Sequence, residues 1–183
     1  MKHENNLVWI DCEMTGLDIE KDVILEIAVV ITDGQLNVVA QGPSLVINYP
    51  DRVLENMNDW CKVQHKKSGL TLDVQLSTTT LPQAEQMILE FITAYCFPKK
   101  APLCGSTIWV DRLFIRKSMP KIESFLHYRN IDVSSVKELV KRWYTINLDK
   151  ELPSKDLHRA LPDIYESINE LKFYKERFFV IPD

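Results

Sequence analysis

Apolar and polar positions along the chain fall into two regimes. Up to residue 48 the apolar residues come in short runs separated by turn signals, and from residue 82 they recur at helical spacing. Leu7-Val-Trp-Ile-Asp-Cys-Glu13 predicts a strand closed by Thr15-Gly16. Val23 to Thr32 predicts a second, more buried strand, with Asp33-Gly34 as a strong turn signal after it. Val38 to Asn48 continues as a third extended run, in which Pro43 marks an edge or a bulge. Three closely spaced strands joined by turns make an antiparallel meander.

From Pro82 the pattern changes. Ala84, Met87, Ile88, Phe91, Ile92 and Tyr95 predict an amphipathic helix, followed by a short strand at Pro102-Leu-Cys-Gly105. Val110 to Ser118 reads as a helix stopping before Met119-Pro120, and Ile131-Asp-Val133 as another short strand. Ser135 and Glu138 form a capping box opening a helix with Val136, Leu139, Val140 and Trp143 on one face. Tyr144 to Lys155 reads as a loop before a last helix carrying Ile164, Ile168, Leu171 and Phe178. Strands first, then alternating helix and strand, give a mixed α/β layer fold. With 183 residues, no repeat and no linker, residues 1–183 are expected to form one domain.

Composition narrows the function. At 45% apolar residues the chain can bury a sizeable core, and a net charge of −4 argues against a protein that coats long duplexes. A small or single-stranded nucleic acid held by a few groups and a metal stays open. The polar start, Met1 to Asn6, reads as neither a signal nor a transit peptide. Val23 to Ile31, the longest apolar stretch, is interrupted by Glu26 and is too short to span a membrane. Cysteines at 12, 61, 96 and 104 lack metal-ligand spacing and read as reduced thiols of a cytoplasmic protein.

Asp11 and Glu13 ask for an explanation. In a strand, positions i and i+2 share a face, so both carboxylates point one way and Cys12 the other. Like charges side by side repel unless a cation sits between them, and hard oxygen donors suit Mg²⁺ or Mn²⁺. Alone the pair is a weak signal. Asp111 at the start of a helix, and His158 five residues before Asp163, add to it. The order Asp11-x-Glu13, Asp111, His158 and Asp163 resembles the histidine subtype of the DEDD exonucleases. Trp9-Ile-Asp-Cys-Glu-Met-Thr-Gly-Leu17, Ser68-Gly-Leu70, His127-Tyr-Arg-Asn-Ile-Asp-Val-Ser134 and Tyr174-Lys-Glu-Arg-Phe178 are similar to the oligoribonuclease family in particular. The likeness runs from about Asn6 to Phe179.

That resemblance implies an RNase H-like exonuclease fold, with a central mixed sheet whose first three strands are antiparallel and which helices flank. It also implies a homodimeric 3′-to-5′ exoribonuclease that cleaves very short single-stranded RNA, chiefly dinucleotides, to 5′-mononucleotides. By position Asp11, Glu13, Asp111 and Asp163 would bind two divalent cations, Mg²⁺ or Mn²⁺, and His158 would be the general base. Such ions stabilise the attacking and leaving oxygens of an in-line displacement at phosphorus. Leu17, Trp60 and His65 would line the base pocket, with Leu17 as a wedge for stacking. Tyr128, Arg129 and Ser134 would cap the substrate's 5′ end, the first two from the partner subunit. Ser106 and Thr107 stand where the family usually has Asn and Ser, so a contact near the substrate phosphate or sugar differs. Pro162 replaces a typically acidic residue, and proline is tolerated only in a helix's first turn, so the last helix is expected to begin near Leu161.

Glu26, Trp143 and Cys12 read as structural. Two rivals remain at this stage: a DNA-proofreading or general 3′-to-5′ exonuclease, and a non-catalytic RNA-binding module. The second gains nothing from clustered carboxylates, and the first does not need the segment His127 to Ser134.

Overall fold

A computed structural model of the chain describes residues 1–152 and 158–179. In chain order its elements are β1 (Leu7–Met14), β2 (Ile24–Thr32), β3 (Val38–Val46), α1 (Asp51–Glu55), α2 (Asp59–Lys67), α3 (Leu70–Leu76), α4 (Leu81–Tyr95), β4 (Leu103–Gly105), α5 (Trp109–Ser118), α6 (Pro120–Phe125), β5 (Asn130–Asp132), α7 (Val133–Trp143), α8 (Leu148–Glu151) and α9 (Ala160–Phe178). The strands form one sheet in the order β3-β2-β1-β4-β5. β3, β2 and β1 are antiparallel, whereas β4 and β5 add in parallel. The expected meander and the mixed sheet are both present. Pro43 lies on the edge strand where the pairing register with β2 shifts, so it withholds no ladder donor from a central strand.

Period-two alternation sends the two faces of the sheet into different cores. Val8, Ile10 and Cys12 of β1 pack with Ile27, Val29 and Ile31 of β2 against α4, α5 and α6. Trp9, Ala28 and Val30 face the opposite way, against Val133 and Val140 of α7 and Ile164, Ile168 and Tyr174 of α9. Trp9 stays satisfied there because its indole N–H donates to Thr32 Oγ1 at 3.0 Å. The same alternation places Asp11 and Glu13 on the Trp9 face, under α9. Register thus decides where the acids point.

Three expectations need correction. The expected capping box at Ser135 and Glu138 does not open α7, whose N-cap lies three residues earlier. Asp132, ending β5, caps it by accepting from the Ser134 amide at 2.9 Å. With that frame the buried stripe of α7 runs through Val133 and Val140, and Trp143 is 69% exposed. The expected loop from Tyr144 contains the helical turn α8, while its end at Lys155 lies outside the described residues. The last helix starts at Ala160, one residue before the expected Leu161, and Pro162 sits in its first turn as anticipated. Between β3 and α4, three short helices and the turn joining the first two pack Leu54, Met57, Cys61, Leu70 and Val74 on Leu25. All four cysteines are free and buried.

Candidate active site

The carboxylates named from the sequence meet at one end of the sheet. Asp11 and Glu13 come from β1, Asp163 from the first turn of α9, and Asp111 from the first turn of α5. The Cys12 amide, between the two strand acids, donates to Asp111 Oδ1 at 2.9 Å, which ties α5 to β1. Donor atoms of Glu13, His158 and Asp163 all lie within 4.8 Å of one another. A cleft of about 620 Å³ opens on this cluster, lined by Asp11, Ser106, Lys137, His158 and Asp163 among others.

Charge repulsion and burial show in the acids' proton affinities. Burial, then Asp111, Glu13 and Asp163, raise Asp11 well above the ordinary carboxylate range. Burial, then Asp163 and Glu26, push Glu13 up to about 8. Asp111 is pushed to about 7 by burial against the opposing hydrogen bond from Cys12, and Asp163 to about 6 by burial and Glu166. His65 adds an independent sign. Its Nε2 is 2.8 Å from the Met14 carbonyl, an acceptor only, so that nitrogen carries the proton. Nδ1 is then a bare lone pair, buried without a hydrogen-bond partner and 3.9 Å from Glu13 Oε2. The unpartnered nitrogen marks a polar pocket beside Glu13, and the oxygens of the four clustered carboxylates fit a hard divalent cation.

A consequence follows for stability. A carboxyl raised in the folded state supports the fold fully below its unfolded value near ~4, and that support is lost as pH rises through the folded value. In EDTA the melting temperature should therefore fall as pH rises from ~4 through about 8, the range these groups span. Saturating Mn²⁺ should reverse the trend, because cation binding displaces those protons. A thermal-shift series showing no fall in EDTA would contradict the clustering.

The other sequence-derived residues separate into two groups. Leu17 and Trp60 are exposed, and the Trp60 ring meets the His158 ring edge-on at 5.4 Å. His65, expected to line the base pocket, is only 1% exposed, so it acts from beneath Glu13 and Met14. Thr107 Oγ1 and Ser134 Oγ are 3.0 Å apart. Both are held by Asp132 Oδ1, which accepts from the Thr107 and Ser134 amides and secures Thr107 at φ 53°, an uncommon value for a β-branched residue. Tyr128 (73% exposed) and Arg129 project from the surface, the guanidinium 5.4 Å from the ring centre, and neither is among the described residues lining the cleft. Arg112 braces their turn through the carbonyls of His127 and Arg129. Sequence reading did not single out Asp132, Arg112 or Lys137, and took Glu26 as merely structural. A buried acid in an apolar strand was the one available signal, since such a group needs a cationic partner.

Comparison with known proteins agrees with this geometry. A family model described as an exonuclease matches residues 8–171. The oligoribonuclease of Hydrogenovibrio crunogenus is 50% identical over 180 residues, covering 98% of this chain and 97% of that one. That of Bordetella pertussis is 51% identical over 179 residues, 98% of each chain. The mitochondrial oligoribonuclease of Mus musculus is 51% identical over 173 residues, 94% of this chain and 73% of that one. Among solved structures, zinc-bound E. coli exonuclease I with single-stranded DNA superposes with a TM-score of 0.74 at 18% identity. The match covers 96% of this chain but 41% of that one, so the likeness is one of fold, the RNase H-like exonuclease fold. With half of its residues identical over nearly its whole length, the chain belongs to the oligoribonuclease family.

Proposed function

We propose that this protein is a 3′-to-5′ exoribonuclease that degrades very short single-stranded RNA, chiefly dinucleotides, to 5′-mononucleotides. The observation that carries the reading is the convergence of Asp11, Glu13, Asp111 and Asp163 with His158, three of which, Asp11, His158 and Asp163, line one cleft. The four carboxylates would hold two divalent cations, Mg²⁺ or Mn²⁺. When bound, these supply positive charge to the oxygens of the phosphate being cleaved. His158, beside Glu13 and Asp163, accepts the proton of the attacking water at an imidazole nitrogen. As water adds to phosphorus the bond to the 3′ oxygen breaks, releasing the 3′-terminal residue as a 5′-mononucleotide.

Selection for length comes from the other end of the substrate. The hydroxyls of Thr107 and Ser134 receive the 5′ end, and Tyr128 and Arg129 of the partner subunit in a homodimer close over it. Leu17 and Trp60 hold the bases without sequence preference, while His65 supports the wall behind them. Four buried free thiols favour a reducing compartment, and we infer a cytoplasmic enzyme. No helix among the described residues is long and apolar enough to cross a membrane. The test is turnover of a 5′-labelled RNA dinucleotide and its deoxy counterpart with Mg²⁺ or Mn²⁺, with EDTA as control. The expected result is metal-dependent release of mononucleotide from the RNA. Faster cleavage of the deoxy substrate would favour the general DNA exonuclease instead.

A further inference from the structure

We propose that Arg159 is a positioning residue that fixes His158 for catalysis by clamping the backbone next to it to β2 and α3. This rests on the reading of His158 as the general base. Glu26 is the only charged side chain in β2, 2% exposed and in register opposite Glu13. Its carboxylate is met by a fork: Arg159 Nε lies 3.0 Å from Oε2 and Arg159 Nη2 3.1 Å from Oε1. The Ala160 amide donates to the same Oε2 at 3.2 Å, and Ser44 Oγ to Oε1 at 3.0 Å. Arg159 Nη1 reaches the other way, to Asp73 Oδ2 at 2.9 Å and to the Ser68 carbonyl at 3.3 Å. One guanidinium therefore joins β2, the turn after α2, and α3.

What this junction holds is His158. That residue has φ 48°, in the left-handed region a side chain rarely adopts, and such a conformation persists only when its surroundings impose it. The two positions that follow it, Arg159 by side chain and Ala160 by amide, are both anchored on Glu26. The imidazole meets Trp60 of α2 on its other side, so α2 and α3 grip the base both directly and through Arg159. As a means of stabilising the fold alone, a buried ion pair is a poor choice, since well-packed apolar residues serve at least as well. Its place beside a strained base gives it a use.

A double-mutant cycle on single-turnover rates with an RNA dinucleotide tests the clamp. Arg159→Ala should lower the rate ~10- to 100-fold, the cost of a misplaced catalytic group, with KM changed little. The rise in melting temperature with Mn²⁺ should remain. Arg159→Lys, which keeps the charge but not the fork, should fold and lose most of the same rate, and it serves if the alanine variant unfolds. In a His158→Ala background either change should have no further effect, because its route to the reaction is gone. A wild-type rate in Arg159→Lys, or an equal loss with and without His158, would overturn the clamp while leaving the base in place. Full activity in His158→Ala alone would remove the base assignment, and the clamp's purpose with it.

Discussion

Replacing Asp11 or Asp163 with alanine should reduce turnover of an RNA dinucleotide by at least about 10²- to 10³-fold, the cost of losing one preorganised contributor to transition-state charge stabilisation. The fold should survive. Both carboxyls are held above their ordinary range, Asp11 by burial and by Asp111, Glu13 and Asp163, and Asp163 at about 6 by burial and Glu166. Each is a partly buried acid among other carboxylates, so its removal relieves the repulsion that arises as the cluster ionises in the metal-free protein. In EDTA at neutral pH the variants should melt no lower than the unmodified protein. An ion that binds only the native site adds RT ln(1 + [L]/Kd) to stability, so Mn²⁺ should raise the melting temperature of the unmodified protein. That rise should vanish in the Asp11→Ala/Glu13→Ala double mutant. Near-normal turnover at saturating Mg²⁺ in either single variant would exclude that residue as a ligand, and an undiminished thermal rise in the double mutant would place the ions elsewhere.

Mixing an Asp111→Ala variant with an Arg129→Ala variant should restore activity above that of either alone. Tyr128 and Arg129 are exposed and do not line the cleft of their own chain, so a cap built from them has to come from a second copy. Arg129→Ala should cost ~10- to 100-fold on a 5′-phosphorylated dinucleotide, the worth of a charge-assisted contact, and less on one lacking that phosphate. Asp111→Ala subunits keep an intact cap but lose a carboxylate of the acidic cluster, and Arg129→Ala subunits keep the cluster but lose the cap. A heterodimer of the two regains one complete site. A rise above the activity of the Arg129→Ala protein on subunit exchange supports capping in trans. Confirmed exchange without such a rise would show that the cap does not come from the partner and that length selection arises otherwise.

Legibility in the sequence followed the range of each interaction. Alternation along β1 was enough to place Asp11 and Glu13 on one face and Cys12 in the opposite core, because side-chain direction in a strand is a local property. Pro43 marked an edge because it lacks a donor, which is also local. The helices between residues 51 and 76 gave no signal, since each is five to nine residues long and contributes only one or two buried side chains. The frame of α7 is not legible locally because two capping residues compete within four positions, and the Asp132 side chain is also engaged by Thr107, far away in the chain. Trp143 then turned outward, off the buried stripe. Glu26 posed a question the sequence could not answer, for its partner Arg159 is 133 residues away. Only the closed fold joins them.

A metal-dependent exoribonuclease closed at the substrate's 5′ end should reveal itself in a length series. Single-stranded 5′-phosphorylated RNAs of two to ten nucleotides would be compared by kcat/KM with saturating Mg²⁺ or Mn²⁺. The dinucleotide should have the highest value, with a steep fall for each added residue and no turnover in EDTA. Equal or rising kcat/KM with length would contradict it, because a site capped at its 5′ end has no room for a longer chain.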